Sequence, residues 1–390
     1  MSGSERADVL LVGGGIASVR CARTLRRQGF SGSIVLVGAE PRPPYNRPPL
    51  SKELLREDLP DGLVLAEAAT WYERRRIELR VGVGVTRLDP EARIVALEDG
   101  SAIGYERCLL ATGAEPLTLP VPGAERALLL RTLEDSRRLR SAAMSLSPGA
   151  PVTVVGGGFI GIEVASALAS LGRRPTIVEM ADSLWGGVLG GELGAWAAAR
   201  LAASDVGLRL GARVTGLSES SCIIGDERLD QDLCVAGIGV RPRTDLAEAA
   251  GLAVEDGIVT DADHRTSAPG VWAAGDVARV DRRRVEHWHA AREGGERAAL
   301  SMLGLPVAPP RASWVFSEVA GAAIDIVGDS RAWDEERWMA DGSVLAYLQG
   351  ERVVQVAIVG SAISVEEARA IVERDAPVAE LAAILPAQLG

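Results

Sequence analysis

The feature that most narrows how this chain can fold is a local pattern that occurs twice. Asp8-Val9-Leu10-Leu11-Val12 is a short apolar run leading into Gly13-Gly14-Gly15-Ile16-Ala17-Ser18. A helix-like spacing follows (Val19, Ala22, Leu25), Gly29 stops it, and a second run, Ser33–Val37, ends near Glu40. Far along the chain, Pro151–Val155 leads into Gly156-Gly157-Gly158-Phe159-Ile160-Gly161. Ile162, Ala165, Leu168 and Ala169 continue at helical spacing, Gly172 ends the helix, and the run Thr176–Val178 stops at Glu179. Both read as strand, glycine turn, helix, strand, acid. In that order the first glycine permits a tight turn, the second lets a diphosphate approach the backbone, and a small third residue lets helix and strand pack closely. The helix then aims its free N–H groups at the diphosphate, and the acid takes a ribose hydroxyl pair. Ser18 stands where the third glycine is expected, a departure that a small side chain tolerates. One glycine turn is weak evidence. Two complete units predict an α/β chain with two Rossmann-like dinucleotide-binding domains.

The acid of the second unit also discriminates between dinucleotides. A carboxylate ~5 Å from a 2′-phosphate repels it by roughly 3 kcal/mol at an effective dielectric near 20. Glu179 therefore predicts NADH over NADPH, since Arg173 and Arg174 precede the strand and fall on the wrong side of it.

The remaining sequence sets limits. A chain of 390 residues, 47% hydrophobic, holds about two to three domains. Gly304–Arg311, with Pro306, Pro309 and Pro310, reads as a linker. Beyond it, strand-like segments at Trp314–Phe316, Ala323–Val327, Ser343–Leu348 and Val353–Ile358 and a helix at Val365–Arg374 predict a C-terminal α+β domain over 306–390. Forty-two basic against 53 acidic residues give a net charge of -11, which argues against nucleic acid as a partner. No apolar run reaches the ~18 residues of a membrane helix, and the first strand begins by Val9. Neither stable membrane association nor a leader peptide is expected, and a cytoplasmic location is. Cys21, Cys108, Cys222 and Cys234 are scattered, with no C-x-x-C pair and no Cys/His cluster, so no metal site is expected.

One oddity stands out from these averages. Basic charge is carried almost wholly by arginine; Lys52 is the only lysine and Asn46 the only asparagine. Both lie in Pro44-Tyr45-Asn46-Arg47-Pro48-Pro49-Leu50-Ser51-Lys52. A lysine retained here points to a need for a compact ammonium rather than a planar fork.

Two further segments exceed what a plain dehydrogenase needs: Leu109-Leu110-Ala111-Thr112-Gly113, and Val271-Trp272-Ala273-Ala274-Gly275-Asp276-Val277. With them the chain resembles the two-dinucleotide flavoprotein reductases, and among these the FAD-dependent ferredoxin reductases of oxygenase electron chains. The resemblance covers residues 7–300 well and 306–390 loosely. It implies a discontinuous FAD-binding domain over 1–113 and 239–305 and an NAD-binding domain over 114–238. It implies FAD contacts at Gly13, Gly15, Ile16, Ala17, Ser18 and Glu40, at Arg47 and Lys52, and at Ala111, Thr112 and Gly113. Val85 falls where backbone groups hold the adenine, Arg131 resembles an FAD-contacting arginine, and Gly275 and Asp276 match the ribitol-binding turn. Glu286, His287 and Trp288 fall at the flavin ring. Gly156, Gly158, Phe159, Ile160, Gly161, Glu179 and Gly239 fall on the NADH side. Lys52 falls near the flavin N5, and Glu163 resembles the glutamate that pairs with it; these two are the implied catalytic residues. An ammonium there stabilises the anionic reduced flavin, and its carboxylate partner moderates that charge.

What accepts the electrons is read from what is missing. Thiol-based reductases need a cysteine against the flavin, and Pro41–Lys52 contains none. All four cysteines read as core or incidental thiols. Reduced flavin can release single electrons, which suits a small acidic iron–sulfur ferredoxin that serves an oxygenase. Such a partner needs a basic patch on an acidic chain; Arg282, Arg283, Arg284 and Arg311 are the candidates. His287 and His289 are expected to line the flavin edge or docking surface, and His264 to lie at the surface. Val315-Phe316-Ser317-Glu318 and Trp185-Gly186-Gly187 depart from the family pattern. Two other readings remain: a flavin-bound, NADH-responsive redox sensor or interaction protein, and an NADH:rubredoxin or quinone reductase. A quinone enzyme needs an apolar membrane helix at its end, and Ala376–Gly390 is only mildly apolar.

Overall fold

The computed structural model describes residues 5–186, 188–329 and 332–385, so Gly187 and the end of the 376–390 tail fall outside it. The chain groups into two compact units. The first comprises residues up to Arg47, Pro60–Glu115 and Val240–Pro309; the second comprises Pro48–Leu59, Pro116–Gly239 and everything from Pro310. The backbone changes unit at Arg47–Pro48, Leu59–Pro60, Glu115–Pro116, Gly239–Val240 and Pro309–Pro310. The segment carrying Lys52 belongs with the second unit.

The first unit is built on a parallel sheet. Val9–Val12 are at most 4% exposed, apolar on both faces as an inner parallel strand must be. Ile77–Val81, Ile34–Gly38, Glu5–Val12 and Ala102–Leu110 lie side by side in that order. Ala102–Leu110 is long enough to pair twice on its far side. Its C-terminal end takes Val271–Ala273 in parallel, and its N-terminal end takes the antiparallel hairpin Val85–Asp89/Ile94–Leu97. The helices Ile16–Arg27 and Trp288–Met302 meet at bare backbone, where a Cβ on Gly295 would stand 2.1 Å from the Ala17 carbonyl oxygen.

The second unit repeats the parallel design in the order Gly207–Arg209, Arg174–Val178, Pro151–Val155, Leu233–Ala236, Ala127–Leu129. It also holds an antiparallel three-stranded sheet over 214–230 and a five-stranded antiparallel C-terminal sheet. The C-terminal sheet runs Trp314–Val319, Ala322–Val327, Arg352–Val359, Val344–Gln349, Glu335–Met339. Glu335–Met339 is additional to the strands the pattern predicts, because its Glu335-Glu336-Arg337 start shows no apolar alternation. The following helix spans Val365–Val372, two residues short of the expected end, and Val378–Ile384 adds another. The architecture is the mixed α/β type that the two glycine units predict. No helix among the described residues is long and apolar enough to cross a membrane.

His264 corrects one expectation. Its charged neighbours Asp261, Asp263 and Arg265 suggest a surface position, yet it is only 4% exposed. The backbone has φ +66 here, which turns the ring inward so that Nδ1–H donates to the Ala273 carbonyl at 2.9 Å. Burial pushes its pKa down to about 4, against the opposing effect of the Ala273 hydrogen bond. A histidine held neutral when folded but able to take a proton when unfolded adds stability fully present above the unfolded value of about 6.5. That stability drains away as pH falls through the window down to about 4. Thermal unfolding followed across that window is expected to lose about 3 kcal/mol that His264→Gln does not lose; equal losses in both proteins would refute it.

Candidate functional site

Both glycine turns are closed by the same hydrogen bonds. In the first, Gly13 N–H donates to Val37 O and Ala111 N–H to Val12 O, each at 2.8 Å. In the second, Gly156 N–H donates to Val178 O at 2.9 Å and Gly237 N–H to Val155 O at 2.8 Å. Gly13 and Gly156 have φ +120 and +108, and a Cβ on them would lie 2.1 Å from Ala111 O and 2.4 Å from Gly237 O. Only glycine fits either place. Ala111-Thr112-Gly113 thus forms the wall of the first turn, with Thr112 Oγ1 donating to Arg243 O at 2.8 Å and Arg243 N–H to Gly113 O at 2.9 Å. Gly237 is its counterpart in the second, and the sequence pattern does not single it out.

Beyond the turns the two loops open. A Cβ on Gly15 or Gly158 would meet nothing within 4 Å. Each caps a 12-residue helix without a side-chain cap, so first-turn N–H groups at Ile16, Ala17 and Ser18, and at Phe159, Ile160 and Gly161, are left for a ligand. These are the requirements of a dinucleotide diphosphate, and the residues at both loops fit one. The third positions differ. A Cβ on Gly161 would lie 1.9 Å from Gly156 O, whereas the first loop accommodates Ser18 fully buried, its hydroxyl without a partner among the described residues.

The acids at the strand ends are already engaged. Glu40 accepts from Tyr45 Oη at 2.5 Å and from Arg47 at 2.8 Å, with the Arg47 guanidinium 5.2 Å from the Tyr45 ring centre. Glu179 accepts from the backbone N–H of Gly157 at 2.6 Å and of Ala181 at 2.7 Å, so it braces the glycine loop itself. A carboxylate offers about four lone-pair directions, so each acid keeps room for a ribose hydroxyl pair. Arg173 is buried and donates to Ala143 O at 2.8 Å, at the opposite end of the strand from Glu179.

Also in the first unit, the chain's one asparagine accepts from the Trp288 indole N–H at 3.1 Å. His289 is buried edge-on to Trp288, with ring centres 4.8 Å apart, and Arg292 lies 5.4 Å from the indole centre. His287 caps the helix Trp288–Met302, its Nδ1 accepting from Ala290 N–H at 3.2 Å. Gly275 (φ +79) packs against Ala17 and Ala291, with Asp276 next in the chain and Arg284 donating to the Asp276 carbonyl at 3.4 Å. Val85 opens the hairpin strand.

In the second unit the sole lysine meets Glu163. Lys52 Nζ stands 2.6 Å from Glu163 Oε2, with the two residues 8% and 5% exposed. Lys52 also donates to Pro48 O at 3.3 Å and lies 5.8 Å from the Phe316 ring centre. Two hydroxyls complete the cluster: Ser51 Oγ donates to Glu163 Oε2 at 2.5 Å, and Ser317 Oγ to Oε1 at 2.6 Å. Both serines lie in segments that the sequence singles out, 44–52 and 315–318, but neither is marked there as a partner of Glu163. Arg131 precedes the helix Leu133–Ser145, its N–H donating to Asp135 at 3.1 Å, and Gly239 (φ +110) accepts from Leu117 N–H at 3.0 Å.

Of the four docking candidates, Arg282, Arg283 and Arg311 are exposed; Arg284 is ion-paired to Asp256 and Glu286, and Arg311 to Glu366 and Glu373. All four cysteines are free and buried. Burial pushes their thiols up, to about 11 at Cys222 and about 12 at Cys234, the wrong direction for a thiolate nucleophile.

Two dinucleotide-type loops in one chain, with a buried lysine–carboxylate pair and no reactive thiol, define a pyridine-nucleotide oxidoreductase. Residues 7–295 match the pyridine nucleotide-disulphide oxidoreductase family, and the chain belongs to it. It is 35% identical over 393 residues to the ferredoxin reductase component of chlorobenzene dioxygenase from Cupriavidus sp. (strain PS12), spanning 94% of this chain and 93% of that one. It is 32% identical over 365 residues to rubredoxin-NAD(+) reductase from Pseudomonas putida, spanning 89% and 94%. In three dimensions it resembles the solved covalent putidaredoxin reductase–putidaredoxin complex, with TM-score 0.89 and 31% identity over 96% of this chain and 94% of that one. The resemblance carried by the glycine turns and the Ala-Thr-Gly and Gly-Asp segments is thereby borne out.

Proposed function

We propose that the protein is an FAD-dependent NADH:ferredoxin oxidoreductase that passes electrons singly to a small acidic iron–sulfur ferredoxin serving an oxygenase. The observation that carries this reading is the combination of two open glycine loops with a buried Lys52–Glu163 pair and four buried thiols. In this reading 1–113 and 239–305 bind FAD, 114–238 bind NADH, and 306–390 form the accessory C-terminal domain. FAD, when bound, takes a hydride pair and gives up single electrons.

The chain's own residues do the rest. First-turn N–H groups after Gly15 and Gly158 bind the two diphosphates, and Glu40 and Glu179 take adenosine ribose hydroxyls. Arg47, Val85, Arg131, Asp276, Glu286, His287 and Trp288 hold the FAD side. Lys52 supplies positive charge to an anionic reduced state, and Glu163 sets how much of that charge is left over. Glu179 also repels a 2′-phosphate. Arg282, Arg283 and Arg311, all exposed, are the docking cations, with Arg284 beside the first two in the chain. The likeness to a rubredoxin reductase favours one second reading, in which the carrier is a rubredoxin.

Stopped-flow mixing with NADH is the test. The yellow colour is expected to bleach about a hundredfold faster with NADH than with NADPH at equal sub-saturating concentration. An added ferredoxin is expected to restore it at unchanged molecular size. No bleaching by NADH refutes the reading; recovery with rubredoxin and not ferredoxin selects the second. A long-lived bleached state with changed oligomeric size selects the redox sensor.

A further inference from the structure

Glu163 holds more than its lysine. Its carboxylate joins three segments that are remote in sequence: Ser51 and Lys52, the helix Phe159–Ser170, and the strand Trp314–Val319 of the C-terminal sheet. Lys52 and Ser51 both bind Oε2, so Oε1 is left to a single described donor, the Ser317 hydroxyl at 2.6 Å. Ser317 is 3% exposed and Glu163 5%, so water has little access to replace that bond. A buried carboxylate oxygen that loses its donor bears the full desolvation cost and turns to find another. Turning Oε1 swings Oε2 away from Lys52.

We propose that Ser317 is a positioning residue for the Lys52–Glu163 pair. Its hydroxyl fixes the carboxylate so that Oε2 stays on the ammonium, and thereby fixes how much of the Lys52 charge is neutralised. The C-terminal sheet thus contributes one side chain to the electrostatics of a site built from the N-terminal and central parts of the sequence. The end of the same strand and the turn after it carry two other ties: Arg200 donates to Val319 O at 2.9 Å, and Ala320 N–H donates to Ser166 Oγ at 3.0 Å. These anchor the strand without touching Glu163, which separates docking of the sheet from positioning of the carboxylate. The positioning role rests on geometry alone; its consequence for flavin rests on the proposed function.

The single lysine makes the test site-specific. The flavin-loaded protein is labelled with isotope-coded acetic anhydride, and acetylation of Lys52 is measured by peptide mass spectrometry against the N-terminal amine. Ser317→Ala is expected to raise the Lys52 rate on the order of tenfold, the loss of one hydrogen bond to a charged group. Ser317→Thr, which keeps a hydroxyl, is expected to restore most of the protection. Ser166→Ala, which loosens the strand but leaves Glu163 its donors, is expected to leave the rate unchanged. A Ser317→Ala rate within twofold of the parent overturns the proposal, as does an equal rise in Ser166→Ala. The flavin midpoint potential, read on the same samples, is expected to rise in Ser317→Ala because less of the ammonium is neutralised. Faster labelling at an unchanged potential upholds the positioning role and instead removes this pair from the flavin's surroundings.

Discussion

Lys52→Met is expected to lower the unfolding free energy by about 3–5 kcal/mol and to slow reduction by NADH on the order of a hundredfold. The stability loss follows from burial: Glu163, 5% exposed, would keep a charge balanced only by the Ser51 and Ser317 hydroxyls. The kinetic loss follows from the proposed role of the ammonium in stabilising an anionic reduced state. The two effects come apart in Lys52→Met/Glu163→Gln, where no uncompensated charge is left. Urea unfolding of the double variant is expected to recover most of the lost stability, because replacing both members of a buried pair is often nearly neutral. Its reduction by NADH is expected to stay slow. Recovery of both would make Lys52 a structural lysine and nothing more.

Alanine at the first glycine of each loop is expected to remove one nucleotide and spare the other. At Gly13 a Cβ would lie 2.1 Å from Ala111 O, and at Gly156 2.4 Å from Gly237 O. Both obstacles are backbone atoms that no rotamer change can clear, and both positions have positive φ, which adds about 1–3 kcal/mol of strain for any other residue. The loop must therefore move away from its neighbouring strand, carrying the first-turn N–H groups off the diphosphate. Gly13→Ala is expected to purify colourless, with flavin content down at least tenfold, while ADP-ribose affinity stays within about twofold. Gly156→Ala is expected to stay yellow and to lose NADH bleaching. Visible absorbance and isothermal titration separate the cases; a yellow Gly13→Ala protein would mean that the first loop is not where flavin is held.

Glycines with such steric demands leave their mark on the order of residues along the chain, and that is why the loops, the parallel sheets and the strand-end acids are legible in the sequence alone. The Lys52–Glu163 pairing is legible only through the family resemblance. The serines around it sit in segments the sequence singles out, but their bonds to Glu163 are not legible, because a hydroxyl that donates once to a carboxylate over a hundred positions away imposes no spacing. Asn46 and Trp288 are likewise 242 residues apart, and nothing in either segment announces the other. His264 misleads for a physical reason: Asp261, Asp263 and Arg265 surround it with charge in the sequence while the backbone between them turns the ring inward. Glu179 is legible as a strand-end acid, but not as the brace of its own glycine loop.

The five unit changes along the backbone bear on how the protein is made. The strand Ala102–Leu110 needs Val271–Ala273 as a neighbour, so the first sheet stays incomplete until most of the polypeptide has left the ribosome. During synthesis its apolar edge is open to other nascent chains, an aggregation hazard that ends only when Val271–Ala273 arrives. Nor can a single crossover between genes exchange either unit whole, since no one cut separates them.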